Sequence, residues 1–195
     1  GKQTAFGGRH HACQSNKTLR DASVSYVEKF AAHYAQNPNV IGWQIDNELG
    51  NSHHDICHCE TCTEGFRTWL EARYGTIEAV NENWGTNFWS QNYNNFGQIT
   101  TPKWLLTGHN PSQELDWRRF KSDLILDFHR LQHDVIRRLH PGAYITHNLM
   151  GFADTVDYHE LGEQLDFASH DQYPGGFFRP PLENRAAFLA AELDM

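Results

Sequence analysis

The sequence predicts an α/β domain built around a parallel sheet, and three observations support that prediction. Helical and strand patterns alternate in the order helix, strand, helices, strand, helix, strand, helix, which is the order of βαβ units. The candidate strands are short apolar runs, as expected where a sheet is covered on both faces. Each strand then enters residues able to do chemistry: Asn47 and Glu48, His147 and Asn148, Asp171 and Tyr173. In closed barrels of parallel strands the active site lies at this carboxyl edge. Three strands cannot close a barrel, so in an eight-stranded fold they form one part of it.

Taken in order, residues 1–17 are rich in Gly, His and polar groups and read as loop. A helix is predicted over 18–36, with Val27, Phe30, Ala31 and Tyr34 on one face and Asn37-Pro38 as its stop. Val40-Ile41-Gly42-Trp43-Gln44-Ile45 reads as the first strand and ends in Asp46-Asn47-Glu48. A Cys- and His-rich loop over 50–62 precedes a helix carrying Phe66, Trp69 and Leu70, which closes at Gly75. A shorter helix carries Ile77, Val80 and Trp84. Residues 85–110 are rich in Asn, Thr and aromatics without clear periodicity, and loops of that length tend to be functional. The clearest helix covers 112–140, where Phe120, Leu124, Phe128, Leu131, Val135 and Leu139 recur every three or four residues, and Pro141-Gly142 ends it. Strands are predicted over 143–148 and 165–171, separated by a short helical or irregular stretch. A last amphipathic helix begins near Pro181.

At 195 residues the chain is long enough for a sizeable core, as one domain or part of a larger one. Its net charge of −8 and the lack of any Lys/Arg run argue against nucleic acid or anionic membrane as partners. No apolar stretch is long enough to span a bilayer. The first twelve residues lack a signal-peptide pattern, and the sequence does not start with Met, so the native N-terminus is expected elsewhere. Aromatic residues make up 13% of the chain, many of them in polar surroundings. Two explanations stand: ordinary packing, or a sugar cleft in which flat rings stack on pyranose faces.

Glu48 is the leading catalytic candidate. A strand end is rigid, Asn47 supplies an amide for a sugar hydroxyl, and Trp43 and Ile45 favour a partly desolvated setting. Desolvation raises the pKa of a carboxylic acid, as protonation of a leaving oxygen requires. On pattern alone, a helix cap or a solvated turn competes with this role. The four cysteines are Cys13, Cys57, Cys59 and Cys62. Four thiolates complete a tetrahedral zinc shell with no open position, although two disulfides or an iron–sulfur cluster would also use them. His53, His54 and His58 are surplus to such a shell and are expected to be solvated.

The string Ile41-Gly42-Trp43-Gln44-Ile45-Asp46-Asn47-Glu48 resembles the acid/base motif of glycoside hydrolase family 42, the β-galactosidases. The resemblance extends to Phe6-Gly7-Gly8-Arg9-His10-His11-Ala12-Cys13, the cysteine cluster, Arg73-Tyr74-Gly75-Thr76, Asn83-Trp84-Gly85-Thr86, Phe88-Trp89-Ser90-Gln91 and Asp171-Gln172-Tyr173-Pro174. It implies that residues 1–195 belong to one catalytic TIM (β/α)8 barrel, covering about strands 4–6 with their helices and a zinc-bearing loop.

By position, the resemblance makes Glu48 the general acid/base and Asn47 the amide beside the sugar. It makes Arg9 a ligand of hydroxyls or a carboxylate, Trp89 a wall of the sugar site, and Tyr173 a partner of the nucleophile or sugar. It favours structural Zn2+ on Cys13, Cys57, Cys59 and Cys62. The family's nucleophile is a glutamate ending strand seven, which none of Asp171, Glu183 and Glu192 matches, so these 195 residues alone are expected to be inactive. The substrate expected is a terminal β-D-galactoside, the full protein a homo-oligomer (a trimer), and the compartment the cytoplasm. Two alternatives remain: another clan member such as a β-mannanase or cellulase, and a non-catalytic, zinc-stabilised carbohydrate-binding module.

Overall fold

A computed structural model describes residues 12–50, 57–103, 105–150 and 154–171. Arg9, His53, His54, Tyr173 and the helix expected near Pro181 lie outside the described residues.

Helix α1 covers Lys17–Tyr34 and starts at Asn16, whose side chain accepts the Leu19 N–H at 3.2 Å, satisfying one of the first turn's orphan donors. Strand β1 is Gly42–Gln44. Helices α2 (Glu60–Tyr74) and α3 (Ile77–Trp84) follow and end at Gly75 and Gly85. The 29-residue α4, Pro111–Leu139, opens with Pro at its first position, and the Asn110 side chain accepts the N–H groups of Ser112 and Gln113. Strands β2 (Tyr144–Thr146) and β3 (Asn148–Leu149) are one extended run broken only at His147. A short α5, Tyr158–Gly162, leads to β4, Ser169–His170.

The strands are parallel, as the alternation predicts. β1 pairs with β2 (Trp43 opposite Ile145), and β3 pairs with β4 (Asn148 opposite Ser169). The third strand is shorter than the predicted 165–171, and side chains explain the difference. Asp166 accepts the Ile145 N–H through its carboxylate at 2.7 Å, and the Thr146 hydroxyl donates to the Phe167 carbonyl at 2.8 Å. Beside the single backbone bond from the Asp166 N–H to the Ile145 carbonyl (2.9 Å), these side-chain bonds join the two segments ahead of Ser169. The predicted face of α1 is only partly inward: Ala31 is fully buried, while Phe30 remains 43% exposed with its edge against Trp43.

Among the described residues three apolar clusters hold the elements. One joins α2, α3 and α4 through Phe66, Leu70, Val80, Trp84, Trp117 and Phe120. Beneath the strands, Ala31, Ile45, Ile136 and Ile145 form a second. The third packs Leu49 against Ile125, Phe128, Val156 and Leu161. The buried Asp116 ties the helical side together, accepting hydrogen bonds from Tyr74 (2.6 Å), Trp84 (2.8 Å) and Arg119 (3.0 Å). Residues 85–110 are ordered by amides rather than by periodic packing. Asn81 exchanges two hydrogen bonds with the Tyr93 backbone, and the buried Thr86 bonds Asn81 and Asn92. Among the described residues no helix is long and apolar enough to cross a membrane.

Candidate active site and candidate metal centre

Past Gln44 the first strand keeps one more ladder bond, from the Ile45 N–H to the Thr146 carbonyl at 3.0 Å. The backbone then turns sharply. Asp46 (φ +55°) and Glu48 (φ +49°) both occupy the left-handed region, which costs a non-glycine residue on the order of 1–2 kcal/mol. Side chains from the same turn and the next strand hold it there. Asp46 accepts the Asn47 N–H (2.8 Å), Asn148 Oδ1 accepts the Glu48 N–H (3.0 Å), and His147 Nε2 accepts the Leu49 N–H (2.9 Å). The other ring nitrogen of His147 donates to the Ile45 carbonyl at 2.7 Å. Leu49 is sunk into the core, 1% exposed.

Glu48 itself is only 7% exposed. Its carboxyl stands beside that of Asp171, just past β4. Burial, and the Glu48 carboxyl beside it, push Asp171 above the usual carboxylate range, against the opposing bond from Asn148. Asn148 is the hub of the cluster. Its amide nitrogen donates to Asp171 Oδ2 (2.9 Å) and Asn47 Oδ1 (3.0 Å), and its oxygen also accepts from Gln44 at 3.2 Å. Because Nε2 accepts an N–H and Nδ1 faces a carbonyl, the ring is a neutral imidazole with its proton on Nδ1, and burial pushes His147 below the usual histidine range in the same sense.

Of the predicted site residues, the fold therefore places Asn47 and Glu48 together with Asn148 and Asp171 at the carboxyl edge of three parallel strands. Trp89 stands elsewhere, on a 3₁₀ turn over Phe88–Ser90, 65% exposed and stacked on Phe88 at 4.7 Å. Among the described residues it makes no hydrogen bond or ring contact with the Glu48 cluster. Sequence reasoning singled out Asn148, His147 and Asp171 as strand-end residues but assigned none of them its partner.

The four cysteine sulfurs lie within 4.8 Å of one another and form a donor set able to hold a metal ion. Cys13 Sγ is 3.4 Å from Cys62 and 3.6 Å from Cys59, well beyond the ~2.05 Å of a disulfide. Four sulfurs at about 2.3 Å from one ion would stand about 3.8 Å apart, which this spacing matches. Cys59 caps α2, Cys62 is buried in its first turn, and the Ser15 hydroxyl lies 3.3 Å from Cys62. Hydrogen bonds from Cys13 and Cys62 pull Cys57 far below the usual thiol range. The hydrogen bond to Cys57 in turn pushes Cys13 up to about 11, and those to Cys13 and Cys57 raise Cys62. One sulfur takes the charge readily and its neighbours resist a second, the condition a bound cation relieves. His58 departs from expectation. It is half-buried and stacks on Trp117 at 5.2 Å rather than facing solvent, because it follows Cys57 directly into the aromatic cluster.

The whole chain, residues 1–195, matches the sequence model of glycoside hydrolase family 42, described as β-galactosidase. It is 46% identical over 177 residues to a β-galactosidase of Thermus thermophilus, covering 91% of this chain and 27% of that protein. It is similar in structure to the β-galactosidase of the psychrophilic Marinomonas ef1, with a TM-score of 0.85 and 39% identity over 89% of this chain and 26% of that one. It is also similar to the cold-adapted β-galactosidase of Rahnella sp. R3, with a TM-score of 0.86 and 36% identity over 98% of this chain and 28% of that one. The chain thus spans about a quarter of the length of the relatives it matches.

Proposed function

This chain belongs to the glycoside hydrolase family 42 β-galactosidases, and from that premise we propose that it is the acid/base-bearing segment of a retaining β-galactosidase barrel, about strands 4–6. The observation that carries the proposal is the placement of Glu48: a buried carboxyl, held by its own backbone N–H to Asn148, at the carboxyl edge of parallel strands. In the proposed reaction Glu48 protonates the glycosidic oxygen as it leaves. It then removes a proton from the water that hydrolyses the galactosyl-enzyme. Asp171 is not the nucleophile in this scheme. The resemblance places the nucleophile of the retaining pair on a glutamate at the end of the following strand, and Asp171 is an aspartate on the strand before it. Asp171 is the carboxyl that stands beside Glu48, and the nucleophilic glutamate of this scheme belongs to another part of the protein.

Asn47 supports the sugar-contact role by the way its amide is used. Its oxygen is occupied by Asn148, which leaves the NH2 group to donate to a hydroxyl. The exposed Phe88–Trp89 stack has the form of a platform for a pyranose face, and Arg9 and Tyr173 complete the proposed set of sugar ligands. The metal proposed for Cys13, Cys57, Cys59 and Cys62 is Zn2+, a closed and structural site supported by the all-sulfur donor set and its spacing. When bound, it would tie the start of α2 to the segment before α1.

Replacing Glu48 tests the reading. In the complete protein, Glu48→Gln should slow hydrolysis of alkyl galactosides about 10²–10⁴-fold, because their leaving oxygen needs a proton. Galactosides with activated aryl leaving groups should lose far less in the glycosylation step. Equal retention of both activities would remove Glu48 from the mechanism.

A further inference from the structure

His147 is fully buried, and both of its ring nitrogens are engaged on the same short stretch of chain. Nδ1 donates to the Ile45 carbonyl before the turn, and Nε2 accepts the Leu49 N–H after it. The three residues between these anchors include Asp46 and Glu48, both with left-handed backbone. A rigid five-membered ring thus spans the strained turn from one end to the other. The ring is itself held in place. It sits in the run between β2 and β3, and His129 lies edge-on to it at 6.0 Å, fixed by a 2.9 Å hydrogen bond to Gln164.

We propose that His147 is a positioning residue for Glu48: it clamps the backbone on both sides of the acid/base and so fixes where that carboxyl points. The inference rests on the assignment of Glu48 as acid/base. A left-handed glutamate would relax toward ordinary backbone if either anchor were lost. The Asn148 bond to the Glu48 N–H fixes one point of the turn, whereas the imidazole fixes its entry and its exit. A displacement of about 1 Å at a reacting group costs on the order of 100-fold in rate, so the clamp is worth that much to proton transfer.

Three variants of the complete protein separate the two anchors. His147→Leu removes both. His147→Asn keeps a donor near the Ile45 carbonyl but loses the acceptor for Leu49, while His147→Gln keeps that acceptor and loses the donor. Each is assayed on an alkyl and an activated aryl galactoside, beside Glu48→Gln and with the unfolding midpoint recorded. The expected result is a loss of kcat on the alkyl galactoside of about 100-fold for Leu, with smaller losses for Asn and then Gln. The aryl galactoside should lose less than about 5-fold, and KM should change little for either.

A purely structural role would lower the folded fraction and depress both substrates equally, and that outcome overturns the proposal. If Glu48→Gln shows the leaving-group dependence and none of the His147 variants does, the clamp fails and the acid/base assignment stands. If Glu48→Gln shows no such dependence, both fall together. Should His147→Leu not fold, a selective loss on the alkyl galactoside in the Asn and Gln variants still supports the clamp, and equal losses on both substrates still overturn it.

Discussion

The carboxyl cluster and the cysteine cluster contrast in how each holds a chemically demanding group. At the strand ends, Glu48 and Asp171 are surrounded by neutral partners (Asn148, Asn47, His147), and the strain of two left-handed residues is borne by hydrogen bonds across the sheet. At the start of α2, four sulfurs crowd one another within 4.8 Å against Phe66 and Trp117, with the Ser15 hydroxyl at 3.3 Å from Cys62. The first arrangement is complete in the protein's own side chains. The second gathers like groups whose charges would oppose each other, an arrangement that a cation could relieve. The carboxyl cluster is thus held chiefly by amides and an imidazole, whereas the sulfur cluster is held chiefly by contacts among the thiols themselves.

Metal removal should break the comparison most strongly. Cys62→Ser, or chelation under reducing conditions, should cost on the order of 5 kcal/mol or more of stability, since binding energy at such a site is folding energy. About one zinc per chain should be found in the intact protein and none in the variant. The carboxyl cluster makes no hydrogen bond to the sulfurs among the described residues. At temperatures where the variant remains folded, the leaving-group pattern of its kinetics should therefore be unchanged. Full stability without metal would show that the four sulfurs do no structural work as ligands.

Acid should act first on the other region. Burial holds His129 down to about 4 from an ordinary 6.5, against the opposing bond from Gln164, and lowers His147 as well. Neutral rings are bound in the folded state, so between pH 6.5 and about 4 the unfolded chain takes up more protons than the folded one. Stability from His129 is complete above pH 6.5 and is lost as pH falls toward 4, a total on the order of 3 kcal/mol. The groups acting electrostatically on these rings include Arg130 and His133 beside His129, and Asp46, Glu48 and Asp171 beside His147. The three carboxylates raise the His147 value, so its contribution is the more attenuated of the two. Urea unfolding across this range should show the decline, and it should be smaller in His129→Gln. A flat profile would mean that neither ring is held neutral by burial.

The two regions also differ in how much the sequence revealed. Helix α4 was legible from its ladder of Phe120, Leu124, Phe128, Leu131, Val135 and Leu139, because a periodic face is a local property. Cys57, Cys59 and Cys62 were legible for the same reason, being three ligands in one loop. Glu48 was recognisable as a strand-end carboxyl. What escaped was register: Asn148 serves the Glu48 N–H from 100 positions away, and His147 brackets residues 45–49 from the adjoining strand. Those partnerships arise only when β1 lies beside β2, and no spacing encodes them. Side chains that replace backbone were also hidden. Asp166 shortened the last strand by taking the Ile145 N–H, and Asn81 gave order to a loop without periodicity. His58 looked polar and loop-borne, yet Trp117 offered it a ring to stack on.

Two glycines sharpen the comparison with the smallest changes. Gly50, two residues past Glu48, has φ +85°, and an added Cβ would stand 2.7 Å from the Thr155 hydroxyl and 3.2 Å from a Val156 methyl. Gly85, which closes α3 on the helical side, has φ +63° with nothing within 4 Å. Both pay the conformational cost of a left-handed alanine, about 1 kcal/mol, but only Gly50 adds a clash against packed side chains. Gly50→Ala should therefore cost about 2–3 kcal/mol and Gly85→Ala about 1 kcal/mol in chemical unfolding. The displaced chain at position 50 pulls on Leu49 and its bond to His147, so Gly50→Ala should also show the selective loss on alkyl galactosides, while Gly85→Ala should not. Both variants should keep their zinc. Equal stability losses at the two positions would mean that the backbone beyond Glu48 yields easily, and a turn that yields easily cannot be what aims the carboxyl.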